Sequence, residues 1–181
     1  GLIRDSIDYA VGRDLQRNFD VIGFDPRGVG ESTAVKCLDG PEMDEYLFDI
    51  AADKRNSQGW IDEVVASGEK FVAACEKNSN GILGHIDTLS AARDLDLLRG
   101  VLGDSKLNYL GYSYGTFLGA TYAKLFPERV GRLVLDGAID PSVPGYDVGT
   151  TQAVGFESAL RAFMADCLAV RGCAFNGSVD D

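Results

Sequence analysis

The stretch LNYLGYSYGTFLGATYA, residues 107–123, constrains the fold of this chain more than any other. An apolar run rich in β-forming residues enters Gly111-Tyr112-Ser113-Tyr114-Gly115, and a helix-spaced pattern with small residues at Gly119 and Ala120 leaves it. A strand that passes directly into a helix turns a sharp corner. The residue at the apex is driven toward an unfavourable backbone conformation, with its side chain projecting from the top of the sheet. Glycines two positions before and two positions after relieve the crowding of so tight a turn. Corners of this kind join the strands of parallel sheets to their crossover helices, so the rest of the chain is expected to alternate strand and helix.

The alternation runs on both sides of the corner. Residues 2–16 carry Leu2, Ile3, Ile7, Ala10, Val11 and Leu15 at the spacing of an amphipathic helix. FDVIGFD (19–25) is a short, nearly all-apolar run that suits a strand buried on both faces, and the Pro/Gly loop DPRGVGES ends it. Two helical segments, PEMDEYLFDIAAD and GWIDEVVASGEKFVAACEK, form an excursion over about 41–80, which NSNG (78–81) closes. IDTLSAARDLDLLRGVL (86–102) predicts a helix: Ile86, Leu89, Ala92, Leu95, Leu98, Val101 and Leu102 share one stripe, with Asp87 as N-cap and Gly103 as the stop. A strand over 106–112, a helix over 114–126 ended by Pro127, a second buried strand over 131–138 and a last helix over 153–170 follow. The class is α/β, a mostly parallel sheet with flanking helices. Ligands of such sheets bind at the carboxyl ends of the strands, where both DPRGVGES and GYSYG fall.

Twenty-eight acidic residues against 17 basic ones give a net charge of −11. That balance excludes nucleic acid and anionic membrane as expected partners and is compatible with a cationic group on a peptide. No apolar run approaches the roughly 20 residues that span a bilayer. The first residues are amphipathic and charged, without the apolar centre of a signal peptide, and the chain opens on Gly1 rather than Met. The expectation is a polypeptide trimmed or cut from something longer.

The four cysteines, Cys37, Cys75, Cys167 and Cys173, form no CxxC, and the chain has one histidine. No metal or other cofactor is expected from such a set. An even count fits two disulfides and an oxidising compartment, and four cysteines allow three pairings. Proximity favours Cys167 with Cys173, which leaves Cys37 with Cys75. Four reduced, buried thiols are the alternative.

The corner also carries chemistry. A helix that begins at Tyr114 directs its first N–H groups, and the positive end of its dipole, toward the apex serine. Ser113 is then a candidate nucleophile, and the Tyr114 backbone N–H one half of an oxyanion hole. A serine that only caps the helix is the alternative.

Three segments carry a family resemblance: FDVIGFDPRGVGES, ARDLDLLRGVLG, and LNYLGYSYGTFLGATYAKLFPERVGRLVLDGAIDPS. From about residue 19 to 142 the chain resembles the α/β-hydrolases of the prolyl and tripeptidyl aminopeptidase group (peptidase family S33), above all a secreted actinobacterial branch. The resemblance implies a hydrolase core over residues 1–145 and the start of a helical cap over 146–181. It implies a serine hydrolase that removes short peptides or single residues from free N-termini through an acyl-enzyme on Ser113. It also implies a secreted or cell-envelope location, with which paired cysteines are compatible. Asp25, Arg27, Gly28, Gly30 and Ser32 match the family's D-x-R-G-x-G-x-S turn, expected to be architectural, with Arg27 paired. Asp136 and Asp140 match its LDG-x-x-DP segment.

The pattern breaks at the base. In this fold the triad runs nucleophile, acid, histidine along the chain, yet no histidine follows Ser113. His85 precedes the helix that leads into the nucleophile strand, and is expected at the opposite end of the sheet as a surface or helix-start residue. The glycine-rich loop that supplies a second oxyanion donor does not occur in the chain. The expectation is the central portion of a longer polypeptide, whose remaining parts supply the acid and the histidine; Asp136 is an alternative acid. An esterase or lipase on the same fold, and an inactive hydrolase-fold binding protein, are the rival readings. A nucleotide site at GVGES lacks the third glycine.

Overall fold

The computed structural model describes residues 5–180. The chain separates into two compact units, Gly1–Ser105 and Lys106–Asp181.

The first unit is helical. The single helix expected over 2–16 is corrected to two, α1 (Ile7–Ala10) and α2 (Arg13–Asn18); Leu2 and Ile3 lie outside the described residues. Val11 and Gly12 are extended between them, and glycine is a poor residue for a helix interior. The Gln16 amide donates to the Val11 carbonyl at 2.7 Å across the break. FDVIGFD is also corrected: it forms no strand. A strand exists only through its ladder, and no described segment of this unit pairs with the run. DPRGVGES folds as a tight loop with isolated bridges Gly28–Ala34 and Val29–Ser32.

The excursion is a helical hairpin. A reciprocal capping box between Asp39 and Glu42 starts α3 (Gly40–Phe48), and the Ser57 hydroxyl caps α4 (Gln58–Asn78). Tyr46 stacks on Phe71 with ring centroids 4.5 Å apart. The positive φ of Asn80 and Gly81 ends α4 where NSNG predicts it. The Cys37–Cys75 disulfide ties the irregular segment after the Pro/Gly loop to the last turn of α4. The buried Ser79 hydroxyl reinforces the tie, accepting from the Lys36 N–H at 3.1 Å and donating to the Lys36 carbonyl at 2.8 Å. Helix α5 (Thr88–Val101) begins at Asp87, whose carboxylate accepts from the Ser90 hydroxyl and N–H, and these bonds hold it below the usual carboxylate range. Its face buries Ala91, Ala92 and Leu95, while Ile86, Leu89, Val101 and Leu102 toward the two ends of the predicted stripe are exposed.

The second unit is a β-α-β element followed by one long helix: β1 (Leu107–Tyr112), α6 (Tyr114–Leu125), β2 (Val130–Asp136) and α7 (Gly145–Ala169). The two strands are parallel, with Tyr109 opposite Leu133 and an unbroken register to Tyr112 opposite Asp136. Helix α6 buries Thr116, Leu118 and Tyr122. Gly119 lets it approach closely, because a Cβ there would stand 2.8 Å from the Tyr109 ring and 2.9 Å from Leu135. Helix α7 starts at Gly145 rather than 153, none of its residues is buried, and Cys167–Cys173 closes its C-terminal end. Among the described residues no helix is long and apolar enough to cross a membrane, and no three His, Cys, Asp or Glu cluster around a potential metal position.

The 38-residue separation of Cys37 and Cys75 sets the value of their bond. Closing a loop of that length removes unfolded-state entropy worth about 4 kcal/mol. A Cys37→Ala/Cys75→Ala variant is expected to lose stability of about that size in denaturant titration.

Candidate active site

The apex of the corner is built from its two flanking backbone groups. The Ser113 N–H donates to the Asp136 carbonyl at 2.9 Å, extending the β1–β2 ladder by one bond. Its backbone then turns to φ 49°, ψ −116°, a combination that residues with a Cβ rarely adopt. The side chain is exposed and makes no capping hydrogen bond to α6, so Ser113 does not act as an ordinary helix cap. Tyr114 opens α6 directly after Ser113, so the first-turn N–H groups and the positive end of the dipole lie at the apex.

Tight packing beneath the apex explains the glycines. A Cβ on Gly111 would sit 2.6 Å from both the Gly115 carbonyl oxygen and the Tyr109 ring, and one on Gly115 would meet the Tyr109 hydroxyl at 3.3 Å. The Tyr109 hydroxyl donates to the Gly115 carbonyl at 2.8 Å. Burial, and secondarily Tyr114, push the Tyr109 phenol up to about 12, so it stays a protonated donor through the neutral range. Buried Thr116 works from the other side. Its N–H and hydroxyl both donate to the Ser113 carbonyl, at 2.9 and 2.7 Å, and its hydroxyl accepts from the Ile139 N–H at 2.9 Å.

Asp136, the alternative acid, and Asp140, which shares its segment, are both exposed. Asp136 is engaged through its backbone carbonyl. The Asp140 carboxylate accepts from the Ser142 hydroxyl at 2.7 Å and its N–H at 2.8 Å, which lowers its pKa.

The remaining sequence-predicted residues lie in the first unit. Arg27 forks onto Asp94 through two 2.6 Å bonds and donates a third, at 2.8 Å, to the His85 carbonyl. The Asp94 hydrogen bonds raise the Arg27 pKa. Gly28 has φ 84°, and a Cβ there would press on Ile86 at 2.9 Å. Gly30 passes directly over the Asp25 carboxylate, which accepts from the Glu31 N–H at 3.2 Å. Asp25, Arg27 and Ser32 line a cavity of about 730 Å³ with Asp94, His85 and Leu98. His85 itself is exposed, in a short turn (Ile82–His85) before α5.

The structure therefore gathers Ser113, Tyr114, Gly111, Gly115 and the Asp136 backbone into one corner, and Asp25, Arg27, Gly28, Gly30 and His85 around another. Sequence reasoning missed Tyr109, Thr116 and Asp94. Each had a faint signal: a tyrosine on the strand four residues before the apex, a threonine in the first helical turn, and a carboxylate set into the apolar stripe of α5.

A family profile described as alpha/beta hydrolase fold matches residues 4–178. Serine protease Hip1 of Mycobacterium tuberculosis is 39% identical over 161 residues, 88% of this chain and 31% of that protein. A tripeptidyl aminopeptidase of Streptomyces lividans is 37% identical over 174 residues, 92% of this chain and 31% of that protein. A carboxylesterase B of Mycobacterium tuberculosis is 42% identical over 162 residues, 88% of this chain and 31% of that protein. The chain thus spans about a third of the length of these curated relatives, 31% in each case.

The packing at Gly111 yields a direct expectation. Gly111→Ala forces backbone apart at the corner, and overpacking of this kind costs about 2–3 kcal/mol. Chemical denaturation is expected to show that loss, whereas Gly149→Ala, inside helix α7 with open space around its Cβ position, is expected to be no less stable than the parent and to gain up to about 1 kcal/mol.

Proposed function

Because this chain belongs to the alpha/beta hydrolase fold family, we propose that it carries the nucleophile of a serine hydrolase acting on peptides with free N-termini. One observation carries the reading: Ser113 is held at φ 49°, ψ −116° with its side chain exposed at the start of α6. In the proposed reaction the Ser113 hydroxyl attacks the scissile carbonyl while a histidine takes its proton. The Tyr114 N–H donates to the oxygen that becomes negative. The histidine returns the proton to the departing amine, and water then hydrolyses the acyl-serine. Gly111 and Gly115 let the corner close. Asp25, Arg27, Gly28 and Gly30 serve as architecture, supported by the engagement of Arg27 with Asp94 and of Asp25 with the Glu31 N–H.

No histidine follows Ser113 in the sequence. We assign the acid and base to parts of the same polypeptide outside these 181 residues. Residues 1–145 are proposed as hydrolase core and 146–181 as the beginning of a cap. The two disulfides support a secreted or envelope location.

Two of the relatives carry peptidase names, which favours peptide over ester. The relative named carboxylesterase B favours a second reading, an ester hydrolase using the same serine. The natural full-length polypeptide separates them when offered a free-amine tripeptide anilide, its N-blocked form and a short acyl ester. The aminopeptidase reading expects turnover of the free-amine peptide, loss of the blocked one, and a fall of about 10⁴-fold or more in Ser113→Ala. Preference for the ester over both peptides selects the second reading. Undiminished turnover in Ser113→Ala ends both.

A further inference from the structure

We propose that Thr116 is a positioning residue for the Ser113 nucleophile, acting through a closed ring of hydrogen bonds; the proposal rests on the nucleophile reading above. The ring can be followed atom by atom. The carbonyl of Asp136 accepts from the Ser113 N–H at 2.9 Å. The carbonyl of Ser113 accepts from the Thr116 hydroxyl at 2.7 Å. The same hydroxyl oxygen accepts from the Ile139 N–H at 2.9 Å. Ile139 lies on the chain that leaves Asp136 through Gly137, at φ 68°. Both backbone groups of the strained residue are therefore tied to one short segment after β2, the N–H directly and the carbonyl through Thr116.

A threonine in a first helical turn often bonds back to the residue three before it, and that bond alone would be local. The Ile139 bond is not local: it spans 23 positions of sequence, and Thr116 is only 1% exposed. Its hydroxyl thus spends its single proton on Ser113 and a lone pair on Ile139, away from water. A backbone at φ 49°, ψ −116° relaxes unless its neighbours fix it. Rotation of the Ser113 carbonyl is coupled through that peptide unit to the Tyr114 N–H, which is the proposed oxyanion donor. Loss of the hydroxyl therefore misaligns nucleophile and donor together. Neither group sets how tightly substrate is held before attack, so the loss falls on kcat rather than KM.

The test uses the natural full-length polypeptide with Thr116→Val, which keeps shape and loses both hydroxyl bonds, and Thr116→Ser, which keeps them. Rates are expressed per active site titrated to completion with a fluorophosphonate, so unfolded protein does not count. The expected result is a kcat about 10- to 100-fold lower in Thr116→Val, KM within about twofold, and recovery to within about threefold of wild type in Thr116→Ser. A merely structural role would lower the titrated fraction and leave kcat per site unchanged, and that result overturns the proposal. Ser113→Ala run in parallel separates the two claims. If Ser113→Ala abolishes turnover while Thr116→Val turns over at the wild-type rate per site, only the positioning role fails. If Ser113→Ala turns over normally, the nucleophile reading fails and the positioning role with it.

Discussion

A non-glycine residue at φ 49°, ψ −116° stays there only when its surroundings over-determine it. In this chain Ser113 is that residue, and the second unit reads as the apparatus that holds it. The β1–β2 ladder supplies the acceptor for its N–H, and α6 supplies the donors for its carbonyl. Gly111 and Gly119 let the helix settle against β1 and Leu135, and the Tyr109 ring fills the space their missing side chains leave. Each of these contacts is short in range. Together they turn a parallel strand pair and one helix into a rigid mount for a single exposed hydroxyl.

The first unit is braced differently. Among the described residues its Pro/Gly loop makes only the isolated bridges Gly28–Ala34 and Val29–Ser32, and covalent and ionic ties hold it. The Cys37–Cys75 bond and the Ser79 hydroxyl clasp the chain after the loop to α4. The Arg27 fork onto Asp94, with its third bond to the His85 carbonyl, fixes the loop to α5 and to the turn before it. Arginine suits the position because its planar fork meets a carboxylate with two bonds and a carbonyl with a third.

Legibility in the sequence followed the range of the interactions. Helix α5, strands β1 and β2, and helix α6 were readable to within a few residues, because periodicity, Asp87, Gly103 and Pro127 are local signals. The corner was readable because its two glycines answer a crowding that any such turn creates. FDVIGFD was misread because a strand is made by its neighbour, and the run itself says nothing of whether one pairs. The early start of α7 was hidden by GYDVGTTQ, whose glycines and threonines carry little helix propensity. The break at Val11–Gly12 was overruled by an apolar spacing that continued across it. Thr116 and Asp94 escaped notice because each gains its meaning from a partner far along the chain, Ile139 and Arg27 respectively.

The proposed nucleophilic role of Ser113 draws on membership of the alpha/beta hydrolase fold family and on the backbone geometry at that residue. The most direct measurement is therefore the site of covalent modification. The natural full-length polypeptide is treated with a fluorophosphonate, digested, and the adduct located by peptide mass spectrometry. The account predicts one adduct, on Ser113 within LNYLGYSYG. An adduct on any other residue, or equal labelling when Ser113 is replaced by alanine, would contradict it.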